Sequence, residues 1–507
     1  MGKPEQNNNV NQQFVLIAAI LASSMAFIDG TALNVALPRI QKVFSLEGSE
    51  LIWIINIYLI MLSAFLLPGG SLGDMYGRKN IFTLGIILFS LASLSCGFSP
   101  THEYLVVSRT FQGFGAALMV PGSLSLINTV YPAGKRGQAI GTWSMFSAVT
   151  TIIGPALGGW LAGQGLWRFI FFINLPLAAV ALYLLFRTTV PQETREHKKI
   201  DYAGALWAAL GMGALSFGFI EAPRFGFSHP LIIALLAASV IFTLLFIYRE
   251  QHTRQPMMPL EMFRSPVFSG TNAMALLLYA ALNGILFFFP LNLIQVQQYP
   301  EHLAGLALLP FAMVIAAMSR FSGSLVDRFG PRGLMSIGPA LAGIGFLLFA
   351  RVGLTSGPET YWSTFFPAAA VMGMGMGFTV TPLTATVMQS VPDEYSGAAS
   401  GVNNTVTRIA GALAIAIFGA IALISFENSL NHYLSSSQIE ESIMQQVSSD
   451  ASSLAETRVP DELSASSRAK VAAYIDQAFI DTFNRVAILS AVLAFSSGLI
   501  SWFTLKR

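Results

Sequence analysis

A single cysteine, Cys96, in 507 residues excludes an intrachain disulfide and a cysteine-built metal centre. It lies inside an apolar run and reads as a small buried side chain. Charge is almost as scarce. Asp, Glu, Lys and Arg together make up 11% of the chain, against roughly 25% in an ordinary soluble domain. With 54% hydrophobic residues, a soluble chain of this length could not stay dispersed. Acids and bases nearly cancel, at a net +2, so no basic face points to nucleic acid. No phosphate-cradling GxxxxGK[ST] stretch occurs, and an ATP-driven motor lacks its loop. There is no HExxH and no pair of acids within one apolar run, which argues against an intramembrane enzyme.

What the chain has instead is apolar length. Runs of about 20 residues, enough to cross a bilayer, begin near residues 14, 51, 81, 104, 138, 166, 203, 231, 267, 303, 333, 360, 397 and 483. Fourteen spans make an all-α polytopic membrane protein. Glycines and other small residues run through the spans, as close helix packing in lipid requires. The first run holds Asp29 and no small-residue cleavage site follows it, so it reads as a retained helix. Residues 1–13 before it are polar, rich in Asn and Gln, and expected to be disordered.

Charged segments at 188–200 and 249–266 flank spans seven and eight. The expected order is therefore an N-terminal six-helix bundle (14–187), a linker carrying two inserted helices (188–266), and a C-terminal six-helix bundle (267–507). Residues 427–480 read as a long polar loop whose end, Val471 to Asp481, has helical periodicity and runs into the last span. With an even number of spans both termini share a side. That side carries Arg78, Lys79, Lys135, Arg136, Arg187, Lys198, Lys199, Arg249, Arg254, Arg264, Arg328 and Arg332, and short loops on the other side carry about a third as many bases. The excess places both termini in the cytoplasm, in a cell membrane.

One short turn occurs twice. Gly70-Ser71-Leu72-Gly73-Asp74-Met75-Tyr76-Gly77-Arg78-Lys79 is echoed about half a chain later by Gly323-Ser324-Leu325-Val326-Asp327-Arg328-Phe329-Gly330-Pro331-Arg332. A turn that recurs once per half is the mark of a duplicated helix bundle, an architecture typical of solute carriers.

Chemistry concentrates in the first half. Asp29 sits well inside the first span, where an ionised carboxylate must pair, face water or take a proton. Arg109, in the fourth span, stays charged at any physiological pH and can hold such a carboxylate. Gln112 follows at i+3 on the same helix face. Gly154, Pro155, Gly158 and Gly159 in the fifth span combine a kink with relief of crowding. Arg320 and Arg408 are the other bases within spans, without an evident role.

Taken in order, these segments resemble the major facilitator superfamily, and within it the fourteen-helix drug:proton antiporters. Gly70–Lys79 is similar to that family's turn between helices two and three, with Met75 in place of a base. Leu105–Ala117 matches its helix-four motif. Gly154–Gly159 matches its antiporter motif, with Thr150 where a glycine is usual. Asp29–Pro38 and Trp53–Tyr58 resemble its first two helices. The resemblance implies two six-helix domains rocking about a central cavity lined by helices one, four, nine and twelve. It implies export of lipophilic or amphiphilic compounds in exchange for protons, with Asp29 and Arg109 handling the proton and the gradient, rather than any cofactor or metal, supplying the energy. Deprotonated Asp29 would favour substrate binding in the inward-open state, and a proton from outside would displace the substrate. Gly70, Asp74, Gly77, Arg78 and Lys79, their counterparts Asp327, Arg328 and Gly330, and the Gly154–Gly159 kink would form the gates. Candidate cavity residues are Asn34, Trp53, Asn56, Tyr58, Gln112, Asn283, Phe287 and Phe378. The methionine- and phenylalanine-rich stretches of helices nine and twelve would suit varied apolar ligands. Other readings are a proton-coupled exporter of one metabolite, lipid or siderophore, or the membrane subunit of an envelope-spanning complex whose periplasmic adaptor contacts 427–480.

Overall fold

A computed structural model describes residues 3–46, 48–190, 201–253, 256–435, 444, 446–448, 454–455, 457–460 and 464–505. Among them there is no strand. The long helices are α1 (Lys3–Phe44), α2 (Gly48–Tyr76), α3 (Arg78–Gly97), α4 (His102–Val130), α5 (Ala133–Gly163), α6 (Phe169–Phe186), α7 (Tyr202–Phe225), α8 (Pro230–His252), α9 (Pro266–Leu291), α10 (Leu309–Phe329), α11 (Arg332–Phe349), α12 (Phe365–Gln389), α13 (Ser396–Ser435) and α14 (Ala465–Thr504). Among the described residues thirteen helices are long and apolar enough to cross a membrane. The remaining expected span falls on α13, whose 40 residues reach about 60 Å and whose only charge between Ser396 and Phe426 is Arg408.

Local signals set the ends. Thr101, Asp201, Ser265 and Ser464 each accept a backbone N–H from the first turn of α4, α7, α9 and α14. Pro230 and Pro266 occupy first-turn positions that need no donor. Gly77 at φ +98° and Gly330 at φ +78° end α2 and α10 in the left-handed region, which explains why each copy of the repeated turn keeps that glycine.

Helix pairing repeats between the halves. In the first, α1 packs on α4, α5 and α6, α4 also packs on α2 and α3, and α3 touches α6. In the second, α9 packs on α12, α13 and α14, α12 also packs on α10 and α11, and α11 touches α14. Shifting every helix by eight converts one set into the other. Helices α7 and α8 pack on each other, with Trp207 stacked on Phe242 at 5.6 Å between centroids, and α7 lies beside α2. The second bundle has an apolar aromatic core, with Phe289 within 6.5 Å of Phe349, Phe365 and Phe483, centroid to centroid.

Two expectations need correction. Residues 3–13 continue α1 as helix rather than being disordered. Asn11 donates to the Thr189 carbonyl (2.6 Å), and Gln12 donates to the Val130 carbonyl while its own carbonyl accepts from Tyr131. The segment 427–480 is not simply a loop: α13 runs on to Ser435 and α14 starts at Ala465. Both helices exceed bilayer thickness and extend past it as a stem. Tyr433 stacks on Tyr474 and donates to Asp481 (2.7 Å), above buried Leu430, Leu434, Val471 and Ile475.

The two bundles meet at the end bearing the repeated turns, the motif end. There α2 crosses α13 so closely that a Cβ on Gly70 would overlap the Gly397 carbonyl, and the reverse holds as well. In the matching contact, a Cβ on Gly137 of α5 would overlap the Gly323 carbonyl of α10. A leucine at Gly70 or Gly397 should therefore hold this end apart. Asn128, fully buried here, is a reporter. In a Cys96→Ser background, Asn128→Cys should react with a polar maleimide about tenfold faster once Gly397→Leu is added, equivalent to about 1.4 kcal/mol of shifted equilibrium. Equal labelling in monodisperse protein would show that the glycine contact does not set closure.

Candidate functional site

The deepest polar cluster sits where α1, α2 and α4 converge. Asp29 is 0% exposed and Arg109 is 1% exposed. The Arg109 Nη1 group donates to Asp29 Oδ2 and, at 2.8 Å, to Gln112 Oε1. Gln112 Nε2 in turn donates to Asp29 Oδ1 at 2.9 Å. Arg109 Nε donates to the Ile54 carbonyl on α2 at 3.2 Å. The guanidinium lies over the Tyr58 ring, 4.2 Å from its centroid, and the Tyr58 hydroxyl donates to the Ala26 carbonyl on α1. The Cys96 thiol faces Gln112 Oε1 at 3.5 Å.

Small residues make this convergence possible. Gly113 lets the Tyr58 carbonyl and Met61 of α2 come within 3 Å of where its Cβ would stand. One turn along α1 from Asp29, Thr31 and Ala32 press against Gly154 and Gly158 of α5, where any Cβ would overlap them. The Gly154–Gly159 segment thus seats α5 against the turn of α1 that carries the acid. Such a pair is costly to desolvate and stays favourable only while every partner is in place.

The gate at the motif end is built twice from the same parts. Asp74, 8% exposed, accepts from Arg78 Nε (3.0 Å) and reaches across to the Ala398 backbone N–H of α13 (2.8 Å). Asp327 reaches across to the Gly137 and Gln138 N–H groups of α5, both at 3.0 Å. Each repeated acid therefore grips the opposite bundle through backbone donors near a helix N-terminus, where a negative charge is favoured. Arg78 also donates to Thr129 and to the Asp393 carbonyl. The Asp393 carboxylate accepts from both Arg136 Nη groups (3.2 and 3.1 Å) and from Asn128 (3.2 Å).

Asp29, Arg109, Gln112 and Tyr58 come together, but Gln112 and Tyr58 are sealed inside this cluster and do not line a cavity. Trp53 turns toward the inserted helices, its ring 5.2 Å from Phe217 of α7. Asn34 is exposed, and Asn56, Asn283 and Phe378 are partly so. Asn283 donates to the Tyr279 carbonyl (2.7 Å) and faces Gly411 of α13. Phe287 is 43% exposed, whereas Phe288 and Phe289 belong to the core. The methionine-rich part of α12 is mostly packing: Met372 and Met376 are buried, and Gly373, Gly375 and Gly377 seat neighbouring helices, leaving Met374 exposed. Lys79 donates to the Thr188 carbonyl and anchors its own bundle, while Arg328 is exposed.

The sequence reading missed Asn128, Arg136, Gly137, Asp393 and Gly397. A second repeat marks them: Pro132 to Gly137 and Pro392 to Gly397 share the pattern Pro-x4-Gly at the start of α5 and α13. The run Gly69-Gly70-Ser71-Leu72-Gly73 has serine-nucleophile spacing, yet Ser71 lies inside α2, 1% exposed, and donates to the Met257 carbonyl at 3.0 Å.

The model of the Major Facilitator Superfamily matches residues 19–415. The chain is 32% identical to the multidrug resistance protein Stp of Mycobacterium tuberculosis over 414 residues, covering 82% of this chain and 76% of the relative. It is 32% identical to the tetracenomycin C resistance and export protein of Streptomyces glaucescens, covering 80% and 75%. It is 31% identical to the methylenomycin A resistance protein of Bacillus subtilis, covering 81% and 88%. The fold is similar to that of the proton:xylose symporter XylE, with a TM-score of 0.59 at 15% identity, covering 98% of this chain and 96% of the other. It is also similar to the fucose:proton symporter FucP of E. coli, with a TM-score of 0.60 at 11% identity, covering 98% and 99%.

If the buried pair is one unit, its two halves should not be additive. Arg109→Ala alone is expected to cost about 3–5 kcal/mol by stranding the Asp29 charge. Asp29→Asn with Arg109→Gln should recover most of that loss. Thermal unfolding in detergent measures both; additive losses would contradict the reading.

Proposed function

The chain belongs to the major facilitator superfamily, a family of membrane transporters rather than enzymes, and on that premise we propose that it exports lipophilic or amphiphilic compounds, drugs among them, in exchange for protons. The observation that carries this reading is the sealed Asp29–Arg109–Gln112 cluster, in a chain whose relatives are named for resistance to tetracenomycin C, methylenomycin A and several drugs. A fully buried acid gripped by one arginine is a switch with two stable settings, ionised and paired or protonated and released.

The excess of Lys and Arg at the motif end supports a cytoplasmic placement of that end, and in that orientation the closed gate faces the cytoplasm. Protonation of Asp29 removes the charge that holds Arg109 and loosens α1 from α4. Thr31 and Ala32 of α1 bear directly on Gly154 and Gly158 of α5, so a shift of α1 moves α5. At its other end α5 carries the N–H groups gripped by Asp327. Loss of that grip, and of the matching Asp74 contact with α13, opens the cytoplasmic end to substrate. One proton crossing 100 mV supplies about 2.3 kcal/mol, enough for roughly a fifty-fold substrate gradient.

Efflux of a panel of lipophilic dyes from right-side-out vesicles with an imposed pH gradient, acid outside, tests this. Wild type should move some of the dyes only when the gradient is present. Asp29→Asn should abolish gradient-driven efflux while leaving dye binding within about threefold, less than 1 kcal/mol. Gradient-driven efflux by Asp29→Asn at the wild-type rate would remove the coupling role, and no efflux of any dye by wild type would remove the export reading.

A further inference from the structure

Arg408 stands apart from the other deep arginines. It lies on α13, seven residues, or about 10 Å of helix, beyond Gly401, where α13 presses on Leu66 and Leu67 of α2. Arg109 and Arg78 have carboxylate partners, but among the described residues no carboxylate, carbonyl or amide accepts from Arg408. Part of its surface is nevertheless accessible. Because α13 passes Gly70 at Gly397 and Leu66 and Leu67 at Gly401, Arg408 comes level with Tyr58 of α2 and so with the Asp29 cluster. One turn earlier on the same face, the Thr405 hydroxyl is more than nine-tenths buried and also lacks a partner, as does the buried Asn403 carbonyl oxygen nearby.

A guanidinium at this depth without an acceptor is expensive, and intramembrane charges that are kept in that condition serve a ligand. Arg109 already gives Nε and Nη1 to Asp29, Gln112 and the Ile54 carbonyl, and the Tyr58 ring lies against its face. The two arginines therefore serve different anions: Arg109 the protein's own carboxylate, Arg408 one from outside. We infer that Arg408 and Thr405 form a subsite for the anionic group of a substrate, so that this carrier takes amphiphilic organic anions, a carboxylate on an apolar frame. The planar fork matches a carboxylate in two parallel hydrogen bonds, and Thr405 supplies a further donor. Phe378 and Asn283, on neighbouring helices of the same bundle, are also partly exposed and would face the apolar remainder. A membrane potential negative inside also favours outward movement of an anion. The inference deepens the export reading and rests on it for the direction of transport, but not for binding.

The test uses the purified full chain in lipid nanodiscs and a matched pair of probes, a fluorescent apolar carboxylic acid and its methyl ester. Wild type should bind the acid about tenfold more tightly than the ester. Arg408→Ala and Arg408→Gln should erase that preference while leaving ester affinity unchanged. Arg408→Lys should keep a part of it, and Thr405→Val should reduce it a few-fold. No preference in wild type, or equal weakening of acid and ester by both Arg408 variants, would overturn the subsite. Parallel efflux measurements separate the two readings. Export of the ester without preference for the acid leaves the export function standing and removes the subsite, while acid-selective binding with no export of either probe supports the subsite and removes the export reading.

Discussion

A carboxylate buried to zero exposure inside a helix bundle dictates the arrangement of everything around it. Asp29 cannot remain ionised there without Arg109, and Arg109 cannot remain there without Asp29 and its further acceptors on Gln112 and Ile54. Three helices must therefore converge to within hydrogen-bonding distance. The small residues of the first bundle are the means: Gly113 brings α2 to α4, and Gly154 and Gly158 bring α5 to α1. Replacing the pair by apolar residues would give an equally packed and cheaper core, as the aromatic interior of the second bundle demonstrates with Phe289, Phe349, Phe365 and Phe483. Among the described residues such a pair occurs in one bundle alone, which fits a part that changes state.

The gate solves a different problem, how to hold two bundles together by contacts that can be broken. Asp74 and Asp327 each bind backbone N–H groups of the opposite bundle rather than a basic side chain there. Such hydrogen bonds are directional and short in reach, so a small displacement of α5 or α13 forfeits them fully. Hydrophobic contact would decay gradually with separation. Bare glycine crossings at Gly70–Gly397 and Gly137–Gly323 add close approach without side chains to interlock.

Much of this was legible in the sequence. Apolar length located the spans, and the repeated turn announced the two-fold bundle. The acid inside α1 and the Arg–Gln pair on α4 pointed to each other because a lone intramembrane charge needs a partner. What the sequence hid lies in three-dimensional direction. Tyr58 and Gln112 read as cavity residues because polar groups on central helices usually face water, yet both are absorbed by the buried pair. Trp53 shares α2 with Tyr58 but is turned toward α7, a partner that helical periodicity alone does not reveal. The gate's other half was missed for a plainer reason. Pro132–Gly137 and Pro392–Gly397 match only in proline, glycine and their spacing, and backbone donors carry no residue signature.

Helix α5 then emerges as the mechanical link between the two devices. Its Gly137 end is held by Asp327 of the second bundle, and its Gly154–Gly158 segment, about 25 Å away along the axis, bears on α1 beside Asp29. A helix braced at both points transmits displacement better than it absorbs it, because a Cβ has no room to slide at either contact. The symmetric partner α13 has the same gate contact through Gly397 and Ala398, but in place of a sealed acid it carries Arg408 and unpartnered Thr405. The duplicated scaffold has thus diverged by function. One copy of the lever ends beside a charge answered within the protein, the other carries a charge that is not, and both converge on the same breakable gate.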